Sequence, residues 1–343
     1  MKEDRKKCIH AGVDVHDKTY VAALWSQETR TVVKRWTQPS SAEQLIRTLE
    51  PYRGQIRRVV YEAGITGFEL ARALTEGGYE VEVIAPKSMA RGFDEAKSDR
   101  LDCAALARLD AAGELRYSRI PTREEEADRQ VVRMRENVAV SIRRVKVQIK
   151  CFLMQYSLPR ITSWSRRGIE KLCSMELPEK LRFSLDILLC ELKSFVELYK
   201  EVEKKIAEMS SKELYAGNVE RLTEIKGVGV LTAMTYLTEI FRPEEMTGGI
   251  AVGKHTGLAP QVSRSGSGLK RKGSVLSGNK RLKRVLVEAA WRWAFSDPLG
   301  RRYFSRYRKL LGSSQKAIVA VARKLSIIMW MMVTKNESYR VAG

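Results

Sequence analysis

The stretch from 181 to 209 constrains the fold most. Leu181, Leu185, Leu188, Leu192, Phe195, Tyr199, Val202, Ile206 and Met209 step by 4 and 3 in strict alternation. That period keeps an apolar seam on one side of a long α-helix, with Glu and Lys between. A seam of this length has to be covered by another helix. It predicts a coiled coil, within the chain or between chains. The upstream stretch 123–156 is also long, charged and amphipathic, and Pro159 breaks it, so the two can pair as a hairpin.

Before the helical stretch the pattern is different. "CIHAGVDV" (8–15), "TYVAALW" (19–25) and "TVVKRW" (31–36) read as three consecutive strands, "RRVVYEAG" (57–64) as a fourth and "EVEVIAP" (80–86) as a fifth. Helices are expected at "AEQLIRTLEPY", capped by Ser40 or Ser41, at "TGFELARALTEGG", closed by glycine, and over 99–113. The expected organisation is an α/β domain over 1–121, a helical coiled-coil region over 122–213 and a mainly helical domain over 214–343.

Charge narrows the partner. The 343 residues carry 62 Lys+Arg against 41 Asp+Glu, a net charge of +21, which points to a polyanion. From Lys254 to Lys324 there are 18 Lys or Arg against only Glu288 and Asp297. A mixed charge run is usually just solvated surface, but a block of nearly one sign favours nucleic acid. The five cysteines form no CxxC and the three histidines no ligand spacing, which argues against a disulfide framework or a zinc site. The N-terminus lacks the apolar stretch of a secretory signal. The longest apolar run, "LSIIMWMMV" (325–333), is too short to span a bilayer. A cytoplasmic protein without a membrane partner is expected.

Four carboxylates stand at ordered places in the first domain. Asp14 ends the first strand, Glu62 ends the fourth, and Asp99 and Asp102 lie three apart, so a helix puts them on one face. Any one of them alone is better explained as a cap or a surface partner. As a set they suit Mg²⁺, because clustered carboxylates repel unless cations neutralise them and oxygen ligands match that ion. Two such ions can serve phosphoryl transfer.

In the last third, "RLTEIKGVGVLTAMTYLTEI" (221–240) reads as helix, tight glycine turn, helix. The turn resembles a helix-hairpin-helix motif that holds a nucleic-acid backbone at Gly227 and Gly229, although a plain helix–helix turn also favours glycine. Next comes "SRSGSG" (263–268), leading into Lys270, Arg271 and Lys272, and then Lys280, Arg281, Lys283 and Arg284. Serine is a poor nucleophile unless activated, and this is no GxSxG elbow. Taken alone, the loop is a linker or a phosphate-binding loop.

The order of "GVDVHDKT", "VVYEAGITGFELARAL", "KSDRLDCAALARL", "IKGVGVLTA" and "TGLAPQVSRSGSG…GNKRLKRVLVEAA" resembles that of insertion-sequence transposases with an N-terminal RuvC-like DEDD domain and a C-terminal serine domain. That family includes bridge-RNA-guided recombinases and Piv-type DNA invertases. The resemblance covers nearly the whole chain. It implies a ribonuclease-H-like (RuvC-like) first domain in which Asp14, Glu62, Asp99 and Asp102 hold Mg²⁺. It implies Ser265 as nucleophile, separated from Pro260 of "GLAP" by four residues, with Ser263 and Ser267 as near alternatives. It further implies DNA partners (element ends and target), a guide RNA, and a homo-oligomer, dimer or tetramer. A Holliday-junction-type nuclease, a site-specific invertase and a non-catalytic nucleic-acid-binding scaffold are the competing readings.

Overall fold

Two units make up the chain, Met1–Thr122 and Arg123–Gly343. The structure is a computed structural model and describes residues 8–64, 66–84, 102–115, 117–240, 243–265, 268–274 and 278–340; within 261–274 the description is of the backbone alone.

In the first unit, β1 (Ile9–Val15), β2 (Thr19–Ser26) and β3 (Thr31–Pro39) run as an antiparallel meander. Helix α1 (Ala42–Leu49) follows, its first turn closed by Ser41 Oγ, which accepts from the Gln44 amide at 3.2 Å. Then come β4 (Ile56–Glu62), α2 (Glu69–Glu76), β5 (Val81–Ile84), α3 (Cys103–Ala111) and a short β6 (Tyr117–Ser118), which the sequence pattern does not signal. The sheet order is β3-β2-β1-β4-β5-β6, with β1 parallel to β4 and β4 parallel to β5.

Strand alternation divides the sheet into two faces. Ile9, Ala11, Val13, Val59 and Tyr61 pack with Leu45, Leu49, Leu70 and Leu74 from α1 and α2. Val60 and Ile84 pack on the other face with Leu106 and Leu115. Covering both faces explains why β1 reads as a near-continuous buried run.

In the second unit, α4 (Arg123–Gln155) and α6 (Glu179–Ser210) form an antiparallel hairpin: Arg135 pairs with Glu203, and Arg144 further along pairs with Glu191 further back. The 4–3 seam of α6 faces α4 of the same chain. Leu185 and Leu192 of the seam, with the adjacent Leu189, pack on Val145, Ile149 and Leu153, and α5 (Arg166–Cys173) closes the far end with Leu172. At the near end Ile206 and Met209 join Val132 in the larger core.

That core also holds α7 (Glu213–Thr223), α8 (Val230–Ile240), α10 (Lys280–Ser296), α11 (Pro298–Leu311) and α12 (Ser314–Lys335), around the fully buried Trp293. The run at 325–333 is part of the 22-residue α12, which is long and apolar enough to cross a membrane by length and composition. Its Ala317, Ile318, Val321, Ala322, Leu325, Met329 and Met332 are buried in this core.

The segment carrying the serines is a correction to the sequence reading. Between α9 (Gly249–His255) and α10 the chain forms an antiparallel ribbon, β7 (Pro260–Ser265) with β8 (Gly268–Ser274), rather than a loose loop inside a helical domain. Two strands that pair only with each other satisfy the backbone groups that face inward and need no apolar face to do so, so no hydrophobic alternation announced them.

Candidate active site

On β1 the positions of His10, Gly12 and Asp14 fall on one face by alternation, and Gly12 sits directly under α3. A Cβ at Gly12 would meet the Cys103 carbonyl oxygen at 2.0 Å and the Ala107 nitrogen at 2.9 Å. The bare backbone thus lets the start of α3 lie against the strand. At the other end of the helix, Asp110 reaches back to the beginning of β1. Its Oδ2 lies 2.5 Å from His10 Nδ1, and Tyr117 and Arg58 also bind it. α3 is therefore pinned antiparallel to β1, with its N-terminus toward the Asp14 end.

Burial pushes the Asp110 carboxyl up. The His10 and Tyr117 hydrogen bonds and the His10 and Arg58 charges outweigh that and hold it below the ordinary carboxylate range. This carboxylate, fully enclosed, was not among the residues singled out from sequence. The one signal for it was a histidine inside an otherwise apolar strand.

β1 and β4 pair in parallel with Gly12 opposite Val60 and Val13 opposite Tyr61. The next positions are Asp14 and Glu62, which share the α3 face at neighbouring strand ends. Asp102 stands at the helix end nearest them, but not as expected. The helix begins at Cys103, so Asp102 is its N-cap, accepting from the Ala104 amide at 3.5 Å, rather than a residue inside a helix shared with Asp99. Its carboxylate turns to Arg35 at 3.0 Å, and Asp14 to His16 Nε2 at 3.1 Å. Asp99 lies outside the described residues. The buried Cys103 thiol is pushed up to about 12 by burial and by its bond to Asp102, so it is no nucleophile at neutral pH.

Among the described residues no group of three metal-ligating side chains converges on one point. Asp14, Glu62 and Asp102 offer carboxylate oxygens, the chemistry a hard divalent ion requires, and the His16 imidazole stands beside Asp14. The Arg35 pair that occupies Asp102 is exposed and worth about 0–1 kcal/mol, little resistance to a competing cation.

In the second unit the ribbon has a pinched root. Gly278, at φ +133°, lies so close to Gly257 that a Cβ would meet its Cα and nitrogen at 2.5 Å. The Asn279 amide donates to the His255 carbonyl at 2.8 Å. The Asn279 side chain accepts from Arg281 and Leu282 amides, capping α10, and donates to Glu239 Oε2 at 2.6 Å. Arg133 of α4 grips the same Glu239 with two bonds at 2.7 and 2.9 Å. His255 Nε2 donates to the Glu239 carbonyl at 3.2 Å, and burial lowers its pKa. Burial alone would raise the Glu239 carboxyl; Arg133, Asn279 and Arg129 together hold it below the usual range. Neither Glu239 nor Arg133 was picked out from sequence; the available hint was one acid closing an apolar helix.

Ser265 is the last residue of β7, opposite Gly268 at the ribbon's tip, and Ser263 pairs with Lys270. Ser267 lies outside the described residues. Lys270, Arg271 and Lys272 fall on β8, and Lys280, Arg281, Lys283 and Arg284 on the first turns of α10. Arg281 and Arg284 share one carboxylate. Arg281 pairs with Glu136 of α4 at 3.0 Å and Arg284 with the same carboxylate at 2.5 Å. Gly227, at φ +101°, packs on α10, where a Cβ would meet Arg292 Cβ at 2.8 Å and the Trp293 nitrogen at 2.9 Å, so a bare α-carbon permits close helix packing. Gly229 has open space around it.

Comparisons with known proteins bear on both units. The sequence model of the transposase family DEDD_Tnp_IS110 matches residues 11–158. A second, described as transposase IS116/IS110/IS902 family, matches residues 219–305. The chain is 27% identical to the y4qE protein of Sinorhizobium fredii, over 93% of this chain and 87% of that one. It is 26% identical to the transposase for insertion sequence element IS1533 of Leptospira borgpetersenii, over 94% of each.

Proposed function

The chain belongs to the IS110/IS116/IS902 transposases, enzymes of DNA recombination, and on that premise we propose that it exchanges DNA strands through a serine–phosphate link formed at Ser265. The observation that carries the reading is the alignment of Asp14 and Glu62 on adjacent parallel strands, with α3 pinned beside them so that Asp102, its N-cap, stands at the same edge. The strand order, with β1 between β2 and β4, agrees with a RuvC-like domain.

Asp14, Glu62, Asp99 and Asp102 would hold divalent ions, Mg²⁺ by donor chemistry. Bound there, such ions neutralise charge on a phosphate and polarise it for attack. The chain's own residues do the rest. Ser265 Oγ forms a bond to phosphorus and loses its proton to solvent, and the DNA bond from phosphorus to the leaving oxygen breaks, freeing a hydroxyl end. A hydroxyl of the second strand then attacks the same phosphorus and releases the serine. The link conserves the phosphodiester energy, so no nucleotide cofactor is needed. The root at Gly257, Gly278 and Asn279 fixes where the ribbon tip stands. Lys270, Arg271, Lys272, Lys280 and Lys283 contribute phosphate contacts to DNA and to a guide RNA. Assembly into a homo-oligomer belongs to the same reading.

The test is Ser265→Ala with labelled DNA carrying element ends, analysed after denaturation. The wild-type chain retains covalently attached DNA. The variant binds DNA but retains none, and strand exchange stops. Cleavage without any protein-linked DNA in the wild type would replace this mechanism with a nuclease that activates water on the same carboxylates. Absence of divalent-ion-dependent cleavage would leave only a binding protein.

A further inference from the structure

The positive charge of the last third is redistributed by the fold. Arg281 and Arg284, central to the basic block in sequence, share one carboxylate, Glu136, which offsets half of their charge. Among the described residues a cationic face without acidic partners lies on α11. Between Pro298 and Leu311 there is no acidic residue, and Arg301, Arg302, Arg306, Arg308 and Lys309 are all exposed. None of the five is ion-paired among the described residues. Arg301 alone has a partner, the Phe295 carbonyl at 3.2 Å, which leaves its charge intact.

Helical periodicity puts these five on one continuous arc of roughly 160°. The opposite side is firmly held. Gly300 lies against Trp293, where a Cβ would meet the Trp293 carbonyl oxygen at 2.4 Å. Phe304 is buried, and the Tyr303 and Tyr307 rings stack at 6.3 Å. Asp297 caps the start and Gly312 the end. The helix is thus a rigid rod with one cationic side. That arrangement is unfavourable in the free protein: Arg302 and Arg306 are like charges four apart, and Arg301 and Arg302 sit near the positive end of the helix dipole. A polyanion removes both penalties.

We propose that this face of α11 docks on the phosphate backbone of duplex DNA, with the helix lying in a groove. An α-helix about 10–12 Å across matches a major groove about 12 Å wide. Arg306 at one border of the arc and Arg308 at the other reach toward the two flanking strands. The proposal rests on the DNA-recombining function but not on the identity of the nucleophile.

The experiment is fluorescence anisotropy of the full-length chain on a labelled DNA duplex, titrated with salt. Each lost phosphate contact lowers the slope of log K against log salt by about 0.9. Replacing Arg301, Arg302 and Arg306 together by Gln should lower it by about 2–3 units, while the same three changed to Lys should restore most of it. Circular dichroism should show both variants folded, since the positions are exposed. If the Gln variant nonetheless fails to fold, Arg306→Glu alone serves, with an expected loss of about one unit or more. Ser265→Ala should leave the slope unchanged, which separates failure of the nucleophile from failure of this surface. An unchanged slope in the Gln variant overturns the proposal, as does a slope lost on structured RNA but kept on duplex DNA.

Discussion

The two units place the groups proposed to react by different means. In the α/β unit, Asp14 and Glu62 are neighbours because two parallel strands pair in one register, so backbone hydrogen bonds set the spacing. In the helical unit, the ribbon that ends at Ser265 hangs from a root whose position depends on side chains: Arg133, Glu239, Asn279 and His255, drawn from three helices and a cap. The first arrangement is vulnerable where backbones nearly touch. The second is vulnerable where a buried charge loses its partner.

The largest effect should come from the side-chain root. Glu239→Ala removes a carboxylate only 2% exposed and leaves the half-buried Arg133 without it. Breaking such a pair costs about 3–5 kcal/mol, or roughly 6–20 °C in the melting of a unit this size. Calorimetry should show the loss in the transition of the helical unit. A shift under about 2 °C would mean that Gly257 and Gly278 alone hold the ribbon, and the contrast between the units would collapse.

Gly12→Ala should have the next effect, in the other unit. The added Cβ cannot coexist with the Cys103 carbonyl at 2.0 Å, so α3 must move off β1. Overpacking of this kind costs about 1–3 kcal/mol. Divalent-ion binding, followed by titration calorimetry, should weaken more than the melting temperature suggests, because the shift displaces Asp102. Unchanged ion binding in a destabilised variant would show that α3 takes no part in the carboxylate edge.

Acidification should strike both units at once, by a smaller and gradual amount. The Asp110 and Glu239 pKa values are depressed in the folded chain. Their stabilisation is therefore fully present above the unfolded carboxylate range, near about pH 4, and is lost as pH falls through the folded values. Thermal melts should be level from these groups between about pH 5 and 7 and fall below about 4. Asp110→Asn should flatten that fall in the α/β unit only. If it flattens both, the two units unfold together.

Least costly should be Glu136→Gln, which releases Arg281 and Arg284. These half-exposed pairs are worth about 0–1 kcal/mol each. The informative readout is the salt slope of DNA binding. A steeper slope would show that the freed arginines reach phosphates once α4 lets them go.

Local periodicity accounts for what was legible early. The 4–3 run of α6 required a covering helix, and period-two alternation put Asp14 and Glu62 at strand ends, while their meeting depends on the parallel pairing of β1 with β4, which the resemblance implied and the sheet shows. The family followed from the same ordered pieces. Other features depend on residues far apart in the chain, and no window of sequence contains them. Whether the seam met α4 or another chain, that Arg281 and Arg284 face Glu136, that Gly227 lies against α10 and that Asp102 caps α3 were settled by tertiary contacts. The root of the serine ribbon is the clearest case. Arg133 and Glu239 are 106 positions apart, and only burial, which makes an unpaired charge costly, compels them to meet.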